Sequence, residues 1–422
     1  MARSVPGGFG RDFWLLTLSN GFFFAGFHGL LPTVPLRALT LGGSTTEVGL
    51  VAGIFVLSSM LVRLFSDSLL RRLGTRLCLV AGILIAGASA LLYAAAPSVG
   101  ALLAVRIFSG AGFGIGTTFY VSAIMEFIPA HRRGEGMGYF GLATTLAMAT
   151  APATALWVAR RWGFLPMFSL AAVAEVVSLA TLLFCRLPAT PRQPAHAAPS
   201  IYVASRMRGL AARLVEPGTR RAALMIVLFG VAYGGVLNFV AVYARDIGLD
   251  LAGAYFIVAT GCIVLSRLAT RRIYDRFGMV WSVVPGAVAL GAGVVLLAFA
   301  TRAPAFLASA ALYGWGVGML FPALQTEIMV AVSPARRAGA SAAFSNALDL
   351  GLGGGSVLLG LLAQGWGLAD AFLAASTALL LMLGVLALPR PALSRPALPA
   401  AEAPEPAEVA AEQPRKVAGG RF

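Results

Sequence analysis

Apolar runs of about 20 residues, separated by short polar breaks, organise this chain from its first residues to near its end. Twelve can be marked, at roughly 13–36, 46–66, 77–96, 99–127, 135–158, 164–186, 221–244, 252–270, 279–300, 304–330, 338–363 and 368–388. A run of this length crosses a bilayer as a helix, because only a helix satisfies its own backbone in hydrocarbon. Two polar segments are longer. The first, 187–220, carries Pro188, Pro191, Pro194 and Pro199, then Arg206, Arg208, Arg213 and Arg220. It reads as a solvated linker, with an amphipathic helix on the membrane surface near Ile201–Leu214. The second, 389–422, is rich in Pro, Ala and Glu, the composition of a disordered tail.

The breaks are not all equivalent. Arg63–Arg76 reads RLFSDSLLRRLGTR, and Arg267–Gly278 reads RLATRRIYDRFG. The offset is 204: Arg63 matches Arg267, Arg72 matches Arg276 and Gly74 matches Gly278. The same offset relates Gly110, Gly112 and Gly114 to Gly314, Gly316 and Gly318, Arg132-Arg133 to Arg336-Arg337, and Phe140 to Phe344. The chain is therefore read as an internal duplication. A six-helix bundle over 1–186 and a second over 221–388 are joined by the linker 187–220 and followed by a cytoplasmic tail, 389–422. Each Arg-rich break is expected to be a short basic turn. Two parallel repeats of six spans, with a site near the midplane between them, are a transporter architecture.

Composition excludes the soluble alternatives. Of 422 residues, 59% are hydrophobic and 12% charged, and the mean hydropathy is +0.84. Soluble domains carry about 25% charged residues. The net charge of +15 lies between apolar spans, where its natural partner is an anionic membrane surface, and no basic face interleaved with aromatics offers itself to nucleic acid. With the N-terminus inside, twenty-six of the 32 cationic residues fall on inner segments and five on outer ones. That asymmetry predicts cytoplasmic termini in a cell (inner) membrane. The N-terminal apolar run is longer than a signal-peptide core and lacks a small-residue cleavage site, so it is read as the first span.

Reactive chemistry is sparse. Cys78, Cys185 and Cys262 sit in or at the ends of apolar runs, as small hydrophobes do, and no spacing of His, Cys or acids suits a metal. The glycines of Gly110–Gly116 follow no strand and precede no Gly-Lys-Ser/Thr, so they hold no nucleotide phosphate. No nucleophile–base set appears. The expectation is no enzyme, no catalytic residue and no cofactor, with the proton gradient as the driving force.

Several motifs resemble those of the major facilitator superfamily over about 1–388. The loop pattern G-x-L-x-D-R-x-G-R-[RK] is matched at Leu69, Arg72, Gly74 and Arg76, with Asp67 and Arg71 standing where Gly and Asp are usual. Its second copy keeps Asp275, Arg276 and Gly278. Arg106-Ile-Phe-Ser109-Gly110-Ala-Gly112 resembles the R-x-x-[QS]-G-x-G pattern of proton-coupled members. Glu126-Phe-Ile-Pro129 with Arg133-Gly134 is similar to E-x-x-P-x-x-x-R-G, and Glu327 with Arg336 and Arg337 forms a looser copy. In span five the exporter pattern G-x-x-x-G-P-x-x-G keeps Pro152 but has alanines for glycines, while Gly351 and Gly355 keep the glycines in the second half. The resemblance implies two six-helix halves that alternate access, and within the superfamily the efflux proteins, metallophore exporters among them, look closest. It further implies a cytoplasmic gate built from Asp67, Arg71, Arg72, Glu126, Arg133, Asp275, Arg276, Glu327 and Arg337. Because Arg71 replaces an acid, the first-half latch must be wired differently, with Asp67 as the substitute carboxylate.

Ionisable groups at bilayer depth are costly unless paired or wet, so each is a site candidate. Arg106 lies about 12 Å into span four at 1.5 Å per residue. Asp349 lies in span eleven with Ser345 and Asn346 one turn before it, and could alternate between charged and protonated forms. Glu175 lies in span six beside Ala171, Ala172 and Ser178. Asp349, Arg106 and Glu175 are the proton-coupling candidates. Asn20, Phe24 and His28, at i, i+4 and i+8, are expected to line a cavity with Arg106, Tyr233, Asn238, Gln325, Asn346 and Asp349. Small residues permit close helix contact and proline bends a helix, which assigns packing and bending to Gly110, Gly112, Gly114, Pro152, Gly351 and Gly355. The expected function is export of a small organic molecule by a monomer in exchange for protons. Proton-coupled uptake and a non-transporting sensor are the alternatives.

Overall fold

The computed structural model describes residues 9–129, 132–187, 219–270, 276–332 and 337–388. Its elements are α1 (Arg11–Thr40), α2 (Thr45–Arg63), α3 (Ser66–Ala95), α4 (Val99–Met125), α5 (Arg133–Trp162), α6 (Phe164–Phe184), α7 (Arg220–Asp246), α8 (Ala252–Thr270), α9 (Met279–Ala298), α10 (Ala303–Val330), α11 (Arg337–Trp366) and α12 (Leu368–Ala387). All twelve are long and apolar enough to cross a membrane. The described residues are helical with no strands, and the twelve apolar runs of the sequence each become one helix. The expected surface helix at Ile201–Leu214 and the tail 389–422 lie outside the described residues. We call the side where α1 begins and α12 ends the terminal face, and the other the distal face.

Local signals explain the element ends. The Ser44 side chain accepts the Glu47 backbone N–H, and Glu47 accepts the Ser44 N–H at 2.7 Å, so α2 starts on a capping box. The stretch after α2 departs from expectation. It is not a turn: Ser66–Leu73 is helical, and the chain bends at Gly74 (φ +75) before the span proper. Leu69 and Leu70 pack onto the first half's core while Arg71 and Arg72 stay exposed, which is the pattern of a helix lying on a membrane surface. Gly278 (φ +83) turns the chain at the matching point before α9, and only glycine takes that backbone without a Cβ clash.

The duplication is visible in the packing. A side chain at Gly110 would strike the Phe55 carbonyl of α2, and one at Gly314 the Ala259 carbonyl of α8. Gly112 lies on Gly82 and Ala86 of α3, and Gly316 on Gly286 and Leu290 of α9. Gly114 meets Ser59, and Gly318 meets Ile263. Phe55, Gly82, Ala86 and Ser59 repeat at the offset of 204 as Ala259, Gly286, Leu290 and Ile263, so α4 and α10 are each wedged by alternating glycines between two neighbours.

The halves meet unevenly. Thr46 donates to the Gly360 carbonyl at 3.4 Å, Gly49 lies on Ser356 and Gly360, Gly53 on Val357, and Gly253 on Ala153. Arg160 at the end of α5 pairs with Asp250 before α8. All of these are distal. One continuous core joins the distal part of the first half to the second half along its length, while the terminal-face part of the first half, around Phe13, Leu79, Tyr120 and Leu182, has a core of its own. The described halves thus close at the distal face and separate toward the terminal face.

Candidate functional site

The separation between the halves is bounded by one charged contact. Arg63, in the last turn of α2, donates from Nη1 to Asp349 Oδ2 of α11 and from Nη2 to Thr117 Oγ1 of α4 at 3.3 Å. The pair crosses from one half to the other, 286 residues apart in sequence, and lies nearer the terminal face than the Gly49–Gly360 and Gly53–Val357 contacts of the same two helices. Both side chains keep about a fifth of their surface exposed.

The duplication makes this contact asymmetric. Arg267 of α8 is the counterpart of Arg63, Phe321 that of Thr117, and Thr145 that of Asp349. Arg267 lies over the Phe321 ring at 5.9 Å, as Arg63 reaches Thr117. The acid is missing: Thr145 of α5 instead donates to its own helix at Gly141 O, 2.9 Å. At this depth the α2–α11 seam carries an ion pair and the α5–α8 seam does not, its own pair, Arg160–Asp250, lying at the distal end.

Next to this contact, Phe24 and Phe27 of α1, Phe55 of α2 and Phe113 of α4 form a nest of rings. His28 joins it, with ring centroids 5.1 Å from Phe27 and 6.0 Å from Phe24, and its Nδ1 has no partner. In the second half Tyr233 stacks between Phe229 and Tyr313, and the Tyr313 hydroxyl donates to the Tyr233 carbonyl at 3.2 Å.

Other candidates lie elsewhere. Asn20 is fully buried inside the first half and donates to Thr144 Oγ1 at 2.9 Å. Asn238 is buried between α7 and α11, donating to Gly234 O and Ser356 Oγ, both at 3.0 Å. Arg106 is 1% exposed and held over the rings of Phe55 and Tyr93, with Nε and Nη1 unpartnered. Gln325 and Asn346 are half-buried. Glu175 of α6 is 4% exposed, its Oε2 has no partner, and its stem lies on Gly87 of α3 with its carboxyl against Gly26 of α1. The matching slot of the second half holds Leu379 on Gly291, so the packing itself asks only for an apolar side chain.

Of the gate residues, Arg71, Arg72, Glu126 and Arg276 are exposed, and partial burial pushes the Glu126 carboxyl above its ordinary range. Glu327 faces Arg221 at 3.7 Å within the second half. The side chains of Asp67, Arg133, Asp275 and Arg337 lie outside the description. Gly351 and Gly355 lie against Val227 and Val231 of α7, and Pro152 is inside α5. Sequence reasoning missed Arg63 as the partner of Asp349, and it missed the Arg160–Asp250 strut. Both arginines carried only a topology signal.

Residues 14–301 and 272–419 match the family profile of the Major Facilitator Superfamily. An uncharacterised MFS-type transporter of Methanocaldococcus jannaschii is 25% identical over 85% of this chain and 92% of its own length. The staphylopine export protein of Staphylococcus aureus is 23% identical over 82% of this chain and 87% of its own. Among solved structures, the nucleoside transporter NupG superposes with a TM-score of 0.72 at 12% identity, covering 90% of this chain and all of that one.

Proposed function

The chain belongs to the Major Facilitator Superfamily, and on that premise we propose that this secondary transporter exports a small organic molecule in exchange for protons. It is a multi-pass membrane protein and not an enzyme. The observation that carries the coupling is the Arg63–Asp349 pair. It joins the halves on the terminal-face side of the α2–α11 glycine contacts, both side chains are partly exposed, and its mate on the other seam lacks the acid. Protonating Asp349 removes one of the two charges, frees Arg63 and loosens the seam there. A proton can bias the two access states only as far as its affinity differs between them.

The arginine distribution supports a cytoplasmic terminal face, which makes this conformation the one open to the cytoplasm. The ring nest of Phe24, Phe27, Phe55 and Phe113, with His28 beside it, suits an amphipathic or neutral substrate bearing an apolar group. Similarity to an export protein along most of the chain supports outward transport.

The test uses inverted membrane vesicles with a respiration-driven pH gradient and a pH-quenched acridine dye. Compounds are drawn from growth-inhibition screens of an efflux-deficient host. Compound-dependent dequenching that requires this protein supports exchange. Compound-driven proton entry in right-side-out vesicles would replace export with uptake.

A further inference from the structure

We propose that the distal end of the α5–α8 seam is a binding site for a membrane phospholipid with an anionic headgroup. A cavity of about 1030 Å³ lies there, walled by the ends of α1, α5 and α7 and the start of α8. That is the upper end of the usual size for ligand pockets, about 300–1,000 Å³. Its chemistry is divided. Leu36, Leu156, Phe164 and Ile257 give it an apolar interior. Its charges, Arg160, Arg245 and Asp250, all sit at helix ends or in the connecting loop, where a span meets the headgroup layer.

The charges do not balance. Asp250 is taken by Arg160 and Asp246 lies beside the exposed Arg245, but Arg37, 5.6 Å over the ring of the lining Phe164, leaves the rim with one cation in surplus. An anionic head there, with its carbon chains in the apolar interior, would satisfy both parts of the cavity. Its mouth carries exposed apolar side chains, as a lipid-facing opening would: Trp157 and Ile257, which line it, are each 58% exposed on helices of membrane-spanning length. Trp162, whose ring meets Trp157 edge-on at 4.8 Å, adds to an aromatic belt of the kind that marks a membrane interface. Within the lining, Gly253 of α8 lies against Ala153 of α5, so both halves contribute to one wall.

The walls come from both halves, so the site exists only while the halves meet at the distal face. A lipid held there favours this conformation over one that opens the distal face. The assignment rests on neither the direction of transport nor its coupling.

The experiment reads the part of tryptophan emission lost in Trp157→Phe, with full-length protein in nanodiscs. Brominated-chain phosphatidylglycerol is compared with brominated-chain phosphatidylcholine at equal mole fraction. The anionic lipid should occupy the site about five-fold more readily, which is roughly what one cation near a membrane surface is worth. Arg245→Gln should bring the ratio to about one, and 0.5 M salt should lower it. Equal quenching by the two lipids in the unaltered protein would reduce the cavity to ordinary annular lipid and overturn the proposal. So would a preference that survives Arg245→Gln.

Discussion

Arg63 and Asp349 pair across the two halves of the molecule, and the residues at their counterpart positions, Arg267 and Thr145, cannot. At this depth the seam formed by α2 and α11 carries a charged pair, while the seam formed by α5 and α8 pairs its charges only at the distal end, through Arg160 and Asp250. Thr145→Asp would restore the missing acid opposite Arg267. We expect the variant to slow transport about ten-fold or more and to raise thermal stability, because a further ion pair between the halves, beside Arg63–Asp349 and Arg160–Asp250, favours the present conformation. Adding Arg267→Thr should reverse both changes. Unaltered turnover in Thr145→Asp would show that the α5–α8 seam stays apart there throughout the cycle.

Distal closure has a direct chemical probe. A Cβ on Gly253 would lie 3.8 Å from Ala153 Cβ, within the usual disulfide range of about 3.5–4.5 Å. Ala153→Cys with Gly253→Cys should cross-link on mild oxidation and stop transport, and reduction should restore it. Full transport by the cross-linked protein would show that the distal face need not open.

The glycine wedges separate packing from helix propensity. A methyl on Gly314 would run into the Ala259 backbone, which only a shift of α8 or α10 relieves. Gly314→Ala should cost about 1–3 kcal/mol. Gly141 has open space around its Cβ position, so Gly141→Ala should be neutral or gain up to about 1 kcal/mol. Thermal unfolding in detergent compares them, and equal midpoints would contradict the close α8–α10 contact.

Glu175 occupies a slot that its counterpart fills with Leu379. Its unpartnered Oε2 costs stability that a leucine would not. Glu175→Leu should raise the unfolding midpoint by several degrees while keeping coupled transport. Loss of proton coupling with folding intact would transfer the coupling role to Glu175.

The spans were legible because hydrocarbon imposes length and apolarity on each of them, and the glycine repeats were legible because close backbones leave no room for a side chain. Helix facing was less legible. Asn20, Phe24 and His28 share a spacing of four, but each such step advances about 40°, so the first and last lie about 80° apart. Asn20 accordingly turns to Thr144 of α5, and His28 to the ring nest. The Arg-rich stretch hid a surface helix because its arginines outweigh Leu69 and Leu70 in any hydropathy average. The partner of Arg63 was beyond reach, since nothing local links residues 286 positions apart.

The most direct measurement of the account is proton-coupled transport by Asp349→Asn in proteoliposomes, using a compound that the unaltered protein moves. The amide keeps the shape of the side chain and cannot cycle a proton. The account predicts that an imposed pH gradient no longer drives net movement, while compound-for-compound exchange continues at a measurable rate. Gradient-driven movement equal to that of the unaltered protein would contradict it.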